Sequence, residues 1–205
     1  MKKFTFIAII GCIMAAMSFT SCNSDSDNSY QGLTEAEIQQ CFYTTRGAYS
    51  GKIVYRAENK ANIKDKTDTL DISWNIMTDS TMTIHNFPVS TLAESITNND
   101  DLKSAIAQLP PRTLDCAISY VYVTPIQFLI GPNNIDYELE YGGSTHKVQF
   151  RFFWNNYSFA QYVASAEHPM EMQIWAAALY VDGNQTSYGI TPTSPVQFFF
   201  YTEKK

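Results

Sequence analysis

The chain has 205 residues, 14 basic and 20 acidic side chains, a formal charge of −6, and 45% hydrophobic and 14% aromatic residues. That apolar content is ample for one packed core and too high for a disordered stalk. An acidic chain without a Lys/Arg cluster lacks the basic stripe that binds nucleic acid, and it argues equally against electrostatic docking onto an anionic membrane.

The amino terminus reads as an export signal. Lys2-Lys3 precede the apolar run from Phe4 to Phe19, which closes on small residues up to Ser21 and then Cys22. The run is shorter than the roughly 20 apolar residues that a spanning helix needs. The layout predicts a signal peptide over 1–21, cleavage before Cys22 and acylation there. Such an anchor holds the membrane by lipid chains, each buried methylene contributing about 0.8 kcal/mol. Cleavage removes two lysines and no acid, taking the charge to about −8. Residues 22–32 then form a polar, acidic tether, too hydrophilic to pack. Its Ser/Asp-rich stretch Asn23 to Ser29 resembles the export signal of Bacteroides-type lipoproteins, which implies an outer-membrane protein facing the cell surface; a plain tether facing the periplasm is the alternative.

From residue 33 to 205 a single β-rich domain is expected. Thr34 and Glu37 have the spacing of a capping box and start a short helix with Ile38, Cys41 and Phe42 on one face. Alternation at period two follows around Ile53–Ala57, at Leu70–Ile76, and at Thr81–Phe87 after the Asp79-Ser80 turn. Ser90–Ile96 and a segment capped by Asp100 and stopped by Pro110-Pro111 read as a helical insert near 90–109, a crossover between two groups of strands. Leu114–Thr124 is apolar on both faces and reads as a central strand, with Pro125 breaking it from Ile126–Ile130. Further strands follow at 136–141, 146–155, 172–181 and 196–201. About eight or nine antiparallel strands with few helices predict a mainly β fold, all-β or α+β, built as a sandwich or a barrel.

No catalytic motif emerges. His85, His146 and His168 are scattered, and no zinc spacing, nucleophile elbow or phosphate loop occurs. No metal and no cofactor are expected. Asp136, Glu138 and Glu140 alternate opposite Tyr137, Leu139 and Tyr141, the pattern of a solvated strand face; a glycan or peptide hydrolase using Asp136 or Glu138 is the competing reading. Cys41 and Cys116 lie among apolar neighbours, with a disulfide left open. For ligand binding the candidates are aromatic. Tyr157, Tyr162 and Tyr188 sit in turn-like segments. Trp175 lies on the face opposite Met172, Ile174 and Tyr180, where Ala177, Leu179 and Val181 continue its side and favour a core position over a stacking platform.

Leu33 to Phe42, Arg46 to Lys52 and Asn86 to Val89, together with the amino-terminal signal, resemble a family of lipoproteins of about this length and of unknown function from Bacteroides-like gut bacteria. The resemblance spans nearly the whole mature chain and brings no active site. It implies display or transport roles, which tilts the reading toward binding. The lipid anchor, the β-rich core and the lack of a catalytic motif point to a non-enzymatic binding or accessory domain for a glycan or protein, with an envelope structural partner as a further alternative. The resemblance also implies O-glycosylation at Asp-Ser/Thr sites, which Thr69 (Asp68-Thr69-Leu70) and Ser80 (Asp79-Ser80-Thr81) match.

Overall fold

The alternation read from the sequence closes on itself in three dimensions. The computed structural model describes residues 32–57 and 67–203; the signal peptide, Cys22 and the tether up to residue 31 lie outside the described residues, as does the Asn59–Lys66 loop. Helix α1 (Glu35–Thr45) is followed by strands β1 (Gly47–Arg56), β2 (Thr67–Ile76) and β3 (Thr81–Phe87). A 3-10 helix (Val89–Ser95) and α2 (Asp100–Ala107) come next. Then run β4 (Arg112–Val123), β5 (Ile126–Pro132), β6 (Ile135–Tyr141), β7 (Ser144–Phe152), β8 (Phe159–Tyr162), β9 (Met170–Val181), β10 (Asn184–Gln185) and β11 (Val196–Thr202).

The strands form an eight-stranded antiparallel barrel with extra strands. Each neighbour pairs in the order β11-β1-β2-β3-β4-β5-β8-β9, and β9 pairs back to β11 to close the ring. Closure removes free edges from the ring, and among the attached strands an edge is left at β6, which pairs with β7. The barrel interior is a packed core, with Trp74, Phe128, Phe198 and Phe200 fully buried in one apolar cluster. The Trp74 indole N–H donates to Met170 Sδ at 3.3 Å, so the one polar atom of that ring is paired inside the core. The apolar side chains of the wall point inward, whereas a membrane-spanning barrel carries its apolar band outward.

Each end of the barrel has a cover. At one end α1 is started by the predicted capping box: the Thr34 hydroxyl accepts from the Glu37 N–H, and the Glu37 carboxylate accepts from the Thr34 N–H at 2.8 Å. Its Thr45 hydroxyl meets the Tyr120 hydroxyl at 2.6 Å, tying the helix to β4. At the other end the 3-10 helix and α2 place Leu92, Leu102 and Ile106 in the core.

Three expectations change here. The helical insert is no crossover, because β3 and β4 pair directly and the insert is an excursion between neighbours. Its second helix is capped by Asn99, whose carbonyl oxygen accepts from the Leu102 N–H at 3.0 Å, and not by Asp100. β4 is buried on one face only, with Asp115 and Ser119 exposed, since a barrel wall has solvent on its outer side. As expected from its apolar faces, β11 is interior to the sheet, between β1 and β9. Cys41 and Cys116 are buried and unbridged. Burial pushes both thiols up, Cys116 strongly.

Candidate functional site

Strand β9 is longer than the barrel wall it belongs to. Its first half, Met170 to Ala176, pairs with β8 and β11, while its second half pairs with β7, which in turn carries β6. Between these halves the register shifts: Phe152 faces Ala176 and Arg151 faces Ala178, leaving Ala177 as an extra residue. Such a bulge reverses which side chains point inward. Met170, Met172, Ile174 and Ala176 join the core, and after the bulge Leu179 does so as well. That reversal corrects the core reading of Trp175. Leu179 and Val181 do not continue its side; Trp175 stands on the outer face, half-buried and outside the core cluster.

Around Trp175 the turn joining β7 to β8 supplies further aromatic rings. The Phe153 N–H donates to the Trp175 carbonyl at 3.0 Å, and the Trp175 N–H donates to the Ser158 hydroxyl at 3.2 Å. The strand thus pins both ends of the turn. Tyr157, 46% exposed, lies 5.9 Å from Trp175 and 5.4 Å from Phe153, centroid to centroid. Trp154, in the same turn, is 66% exposed. A β-carbon on Gly131 would come within 2.7 Å of the Trp154 ring, so the indole lies directly against the bare backbone of β5. Sequence reasoning missed Trp154, placing it inside a strand over 146–155. β7 stops at Phe152, and the signal for that stop was Asn155-Asn156, turn residues directly after the tryptophan.

Amides continue the surface sideways. Gln173 donates to the Tyr157 carbonyl at 2.7 Å and accepts from Gln197 of β11 at 2.9 Å. On the far side Gln127, itself buried, donates to Gln161 at 2.9 Å and so leaves Gln161 as the half-exposed amide there. Glu171 stands between Gln161 and Tyr201 in the cross-strand register, and burial raises its carboxyl while the neighbouring His168 opposes the rise. The outer face of β5, β8, β9 and β11 therefore combines rings at one edge with a band of amide groups. Rings accept the apolar C–H faces of a flat ligand, and amides both donate to and accept from hydroxyls.

Of the four aromatic candidates, the fold brings together Tyr157 and Trp175. Tyr162 pairs with Ile126 and Met170 on β8 and packs against the core, as does Tyr188. Thr69 is exposed on β2 and Ser80 is exposed in the β2–β3 turn.

The three acids of β6 are exposed on the outer face. Asp136 and Glu138 line an open groove of about 480 Å³ with Lys147, Gln149, Arg151 and Tyr180. Both acids come from one strand, and the Asp136 carboxylate accepts from Gln149 at 2.7 Å. Among the described residues no three His, Cys, Asp or Glu side chains gather as a metal-binding group.

A family model described as a domain of unknown function, DUF4840, matches residues 44–181. The chain belongs to that family. The match runs from the end of α1 to the end of β9, so it includes the Phe153–Ser158 turn, Trp175 and most of the groove, and stops before β11 closes the barrel. No curated protein and no solved structure matches the chain significantly.

Proposed function

We propose that this chain is a lipoprotein anchored through Cys22 in the outer membrane of a Bacteroides-like bacterium, displayed at the cell surface, whose barrel is a non-enzymatic binding module for glycans. One observation carries the reading: Tyr157 and Trp175 meet on the outer face of β9, beside the Gln173–Gln197 amide pair. Stacking rings next to hydroxyl-complementary amides suit a sugar better than a charged or purely apolar partner. The enzymatic alternative needs two carboxylates flanking a bond from opposite sides; Asp136 and Glu138 project from the same face of a single strand instead.

Thr69 and Ser80, both exposed, are open to the O-glycosylation that such bacteria carry out.

A glycan array probed with the full-length protein in detergent is expected to give reproducible ligands that Trp175→Ala and Tyr157→Ala abolish. A blank array, or ligands indifferent to both substitutions, refutes the platform. Cys22→Ala is expected to abolish acyl labelling and release the protein from membranes, and retention without label refutes the anchor. Surface proteolysis of intact cells separates outward from periplasmic display.

A further inference from the structure

The groove between β6, β7 and β9 holds a cation set up to receive an anion. Arg151 lies over the Tyr180 ring, its guanidinium carbon 3.8 Å from the centroid. Its Nε–H donates to Gln149 Oε1, and Gln149 in turn donates from Nε2 to Asp136. Tyr180 is itself held, its hydroxyl donating to Gln185 at 3.2 Å. One edge of the guanidinium and one face are thus fixed by the protein. The two terminal amino groups have no hydrogen-bond or ion-pair partner among the described residues, although Arg151 is exposed.

We propose that this groove binds a ligand through a single carboxylate, seated on the terminal amino groups of Arg151. A guanidinium fork matches a carboxylate with two parallel hydrogen bonds, and a fork already oriented by stacking loses less rotamer freedom on binding. Tyr180 and Gln149 flank the seat with a ring and an amide. Lys147 and Gln149 alternate with Arg151 along the same face of β7, so Lys147 adds a second, more distant cation.

The surrounding charge sets the ligand class. Asp136 and Glu138 line the same groove, and their exposed carboxylates repel a polyanion such as a sulfated or phosphorylated chain. A monocarboxylate meets one cation without crowding the acids. A groove of about 480 Å³ takes a unit the size of one or two sugar rings or a dipeptide. Both a uronic acid residue and a peptide carboxy terminus present this chemistry.

Isothermal titration of the full-length protein with a uronic acid disaccharide, its methyl ester, and a dipeptide with free or amidated carboxy terminus distinguishes the sources. One free acid is expected to bind while its neutralised counterpart does not. Arg151→Lys keeps the charge and loses the fork; it and Tyr180→Leu are each expected to weaken binding roughly tenfold or more. Melting temperatures close to wild type confirm that both variants fold. Equal binding of ester and acid, unchanged affinity in Arg151→Lys, or no binding by either free acid at millimolar concentration overturns the proposal. The platform reading is tested separately, since Trp175→Ala leaves Arg151 and Tyr180 in place.

Discussion

The two faces of β9 do different work along one stretch of backbone. Met170, Met172 and Ile174 point inward and are buried in one cluster with Trp74, Phe198 and Phe200. Gln173, Trp175 and Tyr180 point outward, and each of these is linked to a turn or strand that the barrel does not need for closure. The outward row also changes character. Before the bulge at Ala177, Gln173 and Trp175 meet amides and rings, with the half-buried Glu171 beyond them, and after it the partners are Arg151, Gln149 and Asp136. Trp175 and Tyr180, five residues apart, are separated by about 17 Å of strand, room for two chemically distinct sites on one element.

The strongest test of this division is Trp74→Ala. Deleting a fully buried indole removes transfer energy and leaves a cavity, and the expected loss is about 3–5 kcal/mol in urea unfolding. Trp175→Ala should behave in the opposite manner, losing ligand affinity by roughly tenfold or more while unfolding shifts by only about 1 kcal/mol. Equal destabilisation by both would erase the distinction between the faces.

Gly131→Ala sharpens the comparison further, because it acts on the platform from beneath. The added methyl meets the Trp154 ring at 2.7 Å, so the exposed indole must move off β5. A change in tryptophan emission with weaker glycan binding is expected, and a stability loss of about 1 kcal/mol or less, since the ring has solvent to move into. The groove should keep its affinity.

Much of this fold was legible in residue order, and the exceptions have physical causes. Period-two alternation gave the strands, and Thr34 with Glu37 gave the start of α1, because both signals are local. The choice between sandwich and barrel was not legible: the pairing of β11 with both β1 and β9 is a long-range contact that no local pattern encodes. The site was half legible. Tyr157 stood out as a turn aromatic, but Trp175 was read against an unbroken alternation. One extra residue in Ala176-Ala177-Ala178 reverses the faces, and a run of identical small residues hides where the reversal falls. Arg151 gave no signal, since its stacking partner Tyr180 lies on another strand and becomes a neighbour only through the register of β7 on β9.

The smallest expected effect concerns the junction that holds the groove's hairpin to β9. Asp182, just beyond β9, meets His146 Nδ1 at 2.7 Å and accepts from the Lys147 N–H at 2.9 Å. These hydrogen bonds hold its carboxyl below the ordinary 3.8, the His146 bond contributing most. A carboxyl whose folded value is lowered adds stability that is fully present above the unfolded value and is lost as pH falls through the folded one. Asp182→Asn cannot ionise, so the stability gap between wild type and variant should be constant at neutral pH and shrink below about 3.8. Because Asp182 is exposed, solvent screens the pair and the gap is modest. Urea unfolding across the acid range measures it, and a gap independent of pH would show that the ionised carboxylate adds nothing to the β7–β9 ladder that already holds the hairpin. Carboxylate binding in the groove should weaken slightly in Asp182→Asn, while glycan binding at Trp175 should not change, since Trp175 pairs with β11 in the first half of β9, away from the end that Asp182 ties to β7.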